Sequence, residues 1–149
     1  MKEKNLSTKT SGDAVYLIDT YAWVEYFTGS KRGEKVKKII EDENNVILTP
    51  ECCLAEIKGW SIRESMDFEE LYSILRKVSD VRCILTQDWL EAATIRSELR
   101  KTKKGFGMMD ALIIAQQKRM GCKVVSGDPH FEQMKNVIFV CEYGVRPSK

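Results

Sequence analysis

The chain has 149 residues and a formal net charge of +2 at pH 7, which is long enough for one domain with a substantial core. So small a charge does not by itself indicate a nucleic-acid-binding protein, and no apolar run approaches the ~18–20 residues of a membrane span. Residues 1–12 are polar and lack the apolar stretch of a signal peptide, so we expect a flexible N-terminal lead there, a single domain over 13–143 and a polar tail over 144–149.

The predicted elements begin with a strand at residues 14–18, whose continuous apolar run is typical of a buried central strand. Asp19 follows this strand directly. A short helix is predicted over 20–27, a charged amphipathic helix over 31–43, and a second apolar strand over 46–48.

A third helix is predicted to begin at Thr49 and Pro50, with a capping hydroxyl followed by proline at the first helical position, and to run to about Glu64. Glu56 falls beside the apolar stripe of this helix. A carboxylate on an inward face is costly unless it is paired or bound to a cation. The stripe has i, i+4, i+7 spacing and consists of Cys53, Ile57 and Trp60.

The middle of the chain continues the alternation of helices and strands. Asp67 is expected to cap a helix over 68–78, and a third strand is predicted over 82–85. Thr86 is expected to cap the next helix, which runs from residue 87 to about residue 101 and leads into a basic loop.

An apolar run from residue 108 to residue 115 predicts a buried helix that carries Asp110 near its start and ends at Gly121, a typical C-cap. A short strand follows over 123–126, and Asp128 lies just beyond it. The predicted elements end with a helical turn over 129–134 and a last strand over 137–140. This alternation predicts an α/β fold in which helices cover both faces of a parallel sheet.

Four acids occupy unusual places in this pattern, and the carboxyl edge of a parallel sheet is where they would meet. Three of them have a structural explanation as well, since Asp19, Asp110 and Asp128 are all placed to cap helices, whereas capping does not explain Glu56 in the middle of a helix. Four neighbouring carboxylates stay ionised together only if a cation lies between them. Their hard oxygen donors suit Mg²⁺ or Mn²⁺, the ions of metal-assisted phosphodiester hydrolysis. The four are Asp19, Glu56, Asp110 and Asp128.

Four segments in order, at residues 17–27, 49–57, 109–115 and 125–131, resemble the signature segments of PIN-domain ribonucleases, and most of all the VapC-type toxins of prokaryotic toxin–antitoxin pairs. The resemblance implies a three-layer α/β/α sandwich, a homodimer and a small antitoxin partner. It also implies hydrolysis of RNA by a metal-activated water, leaving a 5′-phosphate.

By the same resemblance, Asp19, Glu56, Asp110 and Asp128 are the catalytic acids that hold Mg²⁺ or Mn²⁺. Thr20 and Ser126 match hydroxyl positions that support the site. Glu51 is a rival for the second acid, but Leu-Ala-Glu-Ile around Glu56 matches the motif. Glu51 lies in the first helical turn, where the helix dipole already favours an acid.

The other polar and aromatic features have alternative interpretations. A basic patch upstream of Asp110 is a candidate RNA-binding surface or a solvated loop. His130 and the aromatic cluster of residues 23–27 are better explained by a surface turn and by packing than by catalysis or base stacking. The patch consists of Arg96, Arg100, Lys101, Lys103 and Lys104.

The combined hypothesis is a metal-dependent endoribonuclease that acts as a toxin, without membrane attachment. The alternatives are a PIN-like module that binds RNA or protein without cutting, and a free-standing RNA-processing nuclease. A receiver-like or phosphatase domain is disfavoured because Asp19-Thr20-Tyr21 lacks the D-x-D pattern. Five cysteines, an odd number without C-x-x-C spacing, and one histidine argue against a Cys/His zinc site and indicate reduced thiols, hence a cytoplasmic protein.

Overall fold

A computed structural model describes residues 14–141, so the expected N-terminal lead and polar tail lie outside the described residues. Strands and helices alternate along most of this range. The strands are β1 (Val15–Ile18), β2 (Val46–Pro50), β3 (Asp80–Arg82), β4 (Lys123–Ser126) and β5 (Val137–Phe139). The helices are α1 (Thr20–Thr28), α2 (Lys31–Glu41), α3 (Glu51–Arg63), α4 (Phe68–Val78), α5 (Thr86–Leu99) and α6 (Met108–Met120), with a 3₁₀ turn at Pro129–Phe131.

The strands form one parallel sheet in the order β3-β2-β1-β4-β5. Leu17 of the central strand lies opposite Leu48 on one side and Val124 on the other. The chain therefore builds the sheet outward from β1 in one direction and then returns to build it in the other. The carboxyl ends of β1 and β4 meet at this reversal, which is where open α/β sheets bind ligands. The α/β fold class predicted from the sequence is confirmed.

The core is formed where α6 and α1 pack against the central strands. Ala111 to Ala115 of α6 are buried, as the apolar run predicts, and so are Gln116 and Gln117, whereas Met109 at the start of the run is exposed. Gly121 ends that helix in the left-handed conformation, with φ of 59°. Trp23 of α1 is fully buried and donates its indole N–H to Thr49 Oγ1 at 3.1 Å. These contacts fix the helices whose first turns carry Asp19 and Asp110.

The third strand was predicted too far along the chain. It lies at Asp80–Arg82 because each of its residues pairs with β2, and β2 ends at Pro50, which is opposite Arg82. Residues 83–85 therefore have no neighbouring strand left to pair with, although they are the more apolar run. Instead, Gln116 Nε2 donates to the carbonyl oxygens of Arg82 and Cys83.

Several helix ends also differ from the prediction. Thr49 does not cap α3, because its hydroxyl bonds to Trp23 and Ser79, and Pro50 is the N-cap residue. Helix α5 begins at Thr86 itself, and Asp88 accepts the Leu85 N–H at 2.9 Å. Smaller differences shorten α2, α5, the 3₁₀ turn and β5 by one to three residues at their ends.

Within residues 14–141, none of the helices is both long and apolar enough to cross a membrane.

Candidate active site

Asp19 lies at the carboxyl end of the central strand and is 4% exposed. It is the N-cap of α1: Oδ1 accepts the Ala22 N–H at 2.9 Å, and Oδ2 accepts the hydroxyl of Ser126. Burial raises the pKa of Asp19 to about 7, against the effect of these hydrogen bonds. The charges of Asp128 and Asp110 raise it further, so these carboxylates lie close enough to repel one another.

Ser126, the last residue of β4, connects two of the acids. Its hydroxyl donates to Asp19 and accepts the Asp128 N–H at 3.0 Å. Asp128 in turn accepts the His130 N–H at 2.9 Å and caps the 3₁₀ turn. The predicted capping role of Asp128 and its place near the other acids are therefore compatible.

Asp110 is the third residue of α6, and its side chain is 18% exposed. Its Oδ2 accepts the Gly107 N–H at 3.4 Å and lies 2.8 Å from Nδ1 of His130. The same nitrogen lies 3.7 Å from Oδ1 of Asp128. The one histidine of the chain is therefore in direct contact with the acid cluster.

Glu56 does not face the core as its position beside the apolar stripe suggested. It is exposed, because a residue three positions after Cys53 is rotated by about 60° from it around the helix. Thr20 Oγ1 donates to its Oε1 at 3.2 Å. Partial desolvation raises the pKa of Glu56, and the charges of Asp110 and Asp128 raise it further against the bond from Thr20. Glu56 thus lies at the edge of the acid cluster, close enough for the charges of Asp110 and Asp128 to affect its pKa.

The donor set fits a divalent cation. Among residues 14–141, none of the four acids forms an ion pair with lysine or arginine. Their mutual repulsion is therefore not offset by lysine or arginine, and the basic group in contact with them among these residues is the imidazole of His130. Ligand atoms of Asp110, Asp128 and His130 lie within 4.8 Å of one another. Hard carboxylate oxygens in such a cluster are suited to Mg²⁺ or Mn²⁺.

The cluster opens into a groove of ≈ 570 Å³ between α1 and α3. Thr20, Glu56 and Asp128 line one part of it, and Trp60 and Arg63 line another. A polymeric substrate therefore has an open path to the acids.

The model of the PIN domain family matches residues 16–137. The chain belongs to the PIN domain family. No curated protein matches the sequence significantly.

Solved structures of PIN-type toxins have the same fold as this PIN domain. A toxin–antitoxin complex from Klebsiella pneumoniae superposes with a TM-score of 0.67 at 15% identity, covering 85% of this chain and 98% of that chain. VapBC2 from Rickettsia felis, bound to a DNA fragment from its promoter, gives 0.64 at 18% identity, covering 84% and 96%. VapC20 from Mycobacterium tuberculosis, a toxin that cleaves the Sarcin-Ricin loop, gives 0.64 at 19% identity, covering 78% and 92%.

The five basic residues predicted to bind RNA occupy different environments in this PIN domain. Arg100 Nε donates to the Phe106 carbonyl, and Lys103 Nζ donates to two carbonyls of the segment after Asp128. Lys101 forms an exposed pair with Glu98, and Arg96 has a buried Nε without a partner among the described residues. Lys104 is exposed. Several of these cations therefore support the loop itself, and their contact with RNA stays a prediction.

The sequence predicts His130 as a polar residue of a surface turn rather than a site residue, but the structure places its ring against Asp110 and Asp128. A single histidine gives no periodic pattern, and its position two residues after Asp128 was the signal that the sequence offered. The aromatic cluster, by contrast, is packed as expected: Trp23 stacks on Phe27 with ring centroids 5.4 Å apart. Glu51, the rival acid, accepts the Ile84 N–H at 3.1 Å, so its bond holds the backbone just after β3 against the start of α3.

Proposed function

We propose that this PIN domain is a Mg²⁺- or Mn²⁺-dependent endoribonuclease. The observation that carries the proposal is the convergence of the acids without a lysine or arginine partner among the described residues: ligand atoms of Asp110, Asp128 and His130 lie within 4.8 Å of one another. Burial raises the pKa of Asp19 and of Glu56, and the charges of Asp110 and Asp128 raise both further. Membership in a family of nucleases supports hydrolysis of phosphodiester bonds.

The proposed roles follow from the contacts. Asp19, Glu56, Asp110 and Asp128 would hold the ion, while Ser126 orients Asp19 and Thr20 orients Glu56. A bound divalent ion lowers the pKa of water, orients the phosphate and stabilises charge that develops in the transition state. The groove between α1 and α3 would receive the RNA strand next to these groups.

The test is cleavage of total RNA by the purified protein with Mg²⁺, Mn²⁺ or EDTA. We expect cleavage with either metal and none with EDTA. Asp110→Asn keeps the shape of the side chain but removes its charge, and we expect it to lower the rate at least ~100-fold, since metal catalysis supplies several kcal/mol. Circular dichroism and a melting curve must show that the variant is folded.

A matched pair on α3 gives the sharper control. Glu56→Gln should lower cleavage as Asp110→Asn does, whereas Glu51→Gln should leave the rate nearly unchanged because Glu51 accepts the Ile84 N–H, a bond that the amide oxygen of glutamine can also accept. Cleavage that survives in both Asp110→Asn and Glu56→Gln would show that the activity is a contaminant or that the site lies elsewhere. Binding of RNA without any cleavage would favour the non-catalytic module.

We further propose that the protein is the toxin of a toxin–antitoxin pair, supported by the toxin–antitoxin complexes that share its fold. Induced expression in a bacterial host should arrest growth, and co-expression of a small partner encoded next to the gene should restore it. The Asp110→Asn variant should be harmless. Growth that continues during expression of an active enzyme would instead favour a free-standing RNA-processing nuclease.

The proposed assembly is a homodimer, as the resemblance implies, and its proposed location is the cytoplasm. The cytoplasmic location is supported by the five cysteines, an odd number without C-x-x-C spacing, which indicate reduced thiols in a reducing compartment. Leu85, Trp89 and Leu90 expose large apolar side chains around the start of α5, which supports a subunit contact there. Light scattering coupled to gel filtration would measure the mass, and a monomer at micromolar concentration would contradict the proposal.

A further inference from the structure

His130 is the only histidine in the chain, and its ring lies inside the acid cluster. Its Nδ1 is 2.8 Å from Asp110 Oδ2 and 3.7 Å from Asp128 Oδ1. It therefore contacts acids from two different elements, the first turn of α6 and the segment after β4.

The position of the ring is held from several sides. The His130 N–H is bonded to Asp128, and the His130 carbonyl accepts from Lys103 Nζ at 3.2 Å. The ring packs against the fully buried Phe106, with centroids 5.8 Å apart. The side chain nevertheless remains 37% exposed, so one side of the imidazole is open to solvent. A histidine in a free surface turn would not be fixed in this way.

The distances between donor atoms suit shared coordination of one ion. Two ligands that each lie about 2.1 Å from an ion are about 3.0 Å apart at a right angle and about 3.6 Å apart at a wider angle of ~120°. The observed N–O distances of 2.8 and 3.7 Å are close to these values. His130 Nδ1 is therefore close enough to Asp110 and Asp128 for all three side chains to bind one ion.

We propose that His130 is a ligand of the ion, in addition to the four acids, and that the mixed carboxylate–imidazole set favours Mn²⁺ over Mg²⁺. The inference rests on the proposed metal-dependent function. Both ions bind carboxylate oxygens, but Mn²⁺ is a transition-metal ion that accepts an imidazole nitrogen beside them more readily than Mg²⁺, which requires hard oxygen donors. A histidine that only positions Asp110 through a hydrogen bond would not itself touch the ion.

Electron spin-echo envelope modulation of bound Mn²⁺ distinguishes a ligand from a positioning residue. The protein must carry no histidine tag and no imidazole buffer, so that His130 is the single source of imidazole nitrogen coupling. We expect ¹⁴N coupling in the wild type and none in His130→Gln. Gln133→Asn is the matched control: it changes an exposed neighbour whose φ of 62° asparagine tolerates, and it should retain the coupling.

Calorimetric titration supplies the second readout. His130→Gln should weaken Mn²⁺ binding about tenfold and Mg²⁺ binding clearly less, in line with the typical cost of altered metal-site contacts. Mn²⁺ bound by the wild type without nitrogen coupling would overturn the inference and leave the proposed nuclease intact, even if His130→Gln weakens binding. Binding of Mg²⁺ but not Mn²⁺ would overturn the inference alone, and failure of the wild type to bind either ion would overturn both.

Discussion

At the scale of single residues, two acids of this PIN domain combine a capping bond to the backbone with a place in the acid cluster. Asp19 caps α1 and Asp128 caps the 3₁₀ turn, and Ser126 joins the two through one hydroxyl. A capping bond needs only one carboxylate oxygen. The second oxygen of Asp128 remains free of the cap, and that of Asp19 is held by Ser126. The capping explanation and the functional one are therefore not alternatives at these positions.

The raised pKa of Asp19 leads to a prediction about metal-free stability. A carboxyl whose pKa rises from 3.8 to about 7 on folding stabilises the fold only while it is protonated, so its contribution is present below about pH 4 and is lost as pH rises through 7. Asp19→Asn removes this charge and can still accept the Ala22 N–H. In EDTA at pH 8, we expect the variant to be more stable than the wild type by at least ~1 kcal/mol.

Denaturant unfolding at pH 4, 6 and 8 would measure this difference, which should shrink towards pH 4. Addition of Mn²⁺ should reverse the order, because an ion that binds only the folded wild type stabilises it by about 2.7 kcal/mol at 100 times Kd. If the difference in unfolding free energy between the two proteins does not change with pH, folding does not raise the pKa of Asp19 and the prediction is wrong.

At the scale of elements, a bidentate ion pair fastens α5 to α6. Arg119 Nε and a terminal guanidinium nitrogen bind the two oxygens of Asp88 at 2.7 and 2.9 Å, and the Asp88 side chain is 2% exposed. Burial acts to raise the pKa of Asp88, but the bonds from Arg119 and the Leu85 N–H hold it below its usual value. Helix α6 also carries Asp110 in its first turn, so the ion pair helps to fix the helix that positions this acid.

Arg119→Met would leave the Asp88 carboxylate buried without its partner. We expect a loss of about 2–3 kcal/mol, below the ~3–5 kcal/mol for a fully buried pair because Arg119 is partly exposed. Lys118→Met is the control, since the neighbouring Lys118–Glu91 pair is exposed and should cost less than ~0.5 kcal/mol. Equal losses in urea unfolding of the two variants would contradict this assignment.

The elements also show how far the sequence alone can predict the fold. β1, β2 and β4 were located because a strand buried on both faces must be apolar throughout. β3 was displaced because an edge strand is defined by its partner: the end of β2 at Pro50, not local hydrophobicity, decides where pairing stops. In the same way, the helical period placed Glu56 beside the core stripe but could not show that this side of α3 opens onto the acids.

The positions of site residues could be predicted where they follow strands of the sheet. They could not be predicted where they depend on tertiary contacts between side chains. Asp19 and Asp128 follow adjacent parallel strands, so the strand pattern placed them at one edge. The contact of His130 with Asp110 joins residues 20 positions apart through the packing of a turn on a helix. Nothing periodic in the sequence reports such a contact.

At the scale of the whole molecule, the small net charge of +2 conceals a separation of charge. The acids converge at the carboxyl edge of the sheet, and a basic loop between α5 and α6 lies beside them, since Lys103 reaches the carbonyls of His130 and Glu132. An RNA backbone would be repelled by the acids unless the bound ion and nearby cations offset their field. The loop is therefore the place where the predicted RNA contact can be tested.

Lys104 and Lys103 form a matched pair for this test. Lys104 is exposed, so Lys104→Gln should weaken RNA binding several-fold without changing the melting temperature. If Lys104 contacts a phosphate, the slope of log affinity against log salt should fall by about 0.7 for single-stranded RNA. Lys103→Gln should instead lower the melting temperature, because its Nζ holds two carbonyls.

Both lysine variants should be made in the Asp110→Asn background, so that the RNA stays intact during fluorescence anisotropy titrations over a range of salt concentrations. The contrast between the two lysines separates an electrostatic contact from a structural one, because only a contact with RNA changes the salt dependence of binding while leaving the fold unaltered. An unchanged salt slope in the Lys104 variant would place the RNA elsewhere, and the groove between α1 and α3, with Arg63 in its wall, would then be the next surface to change.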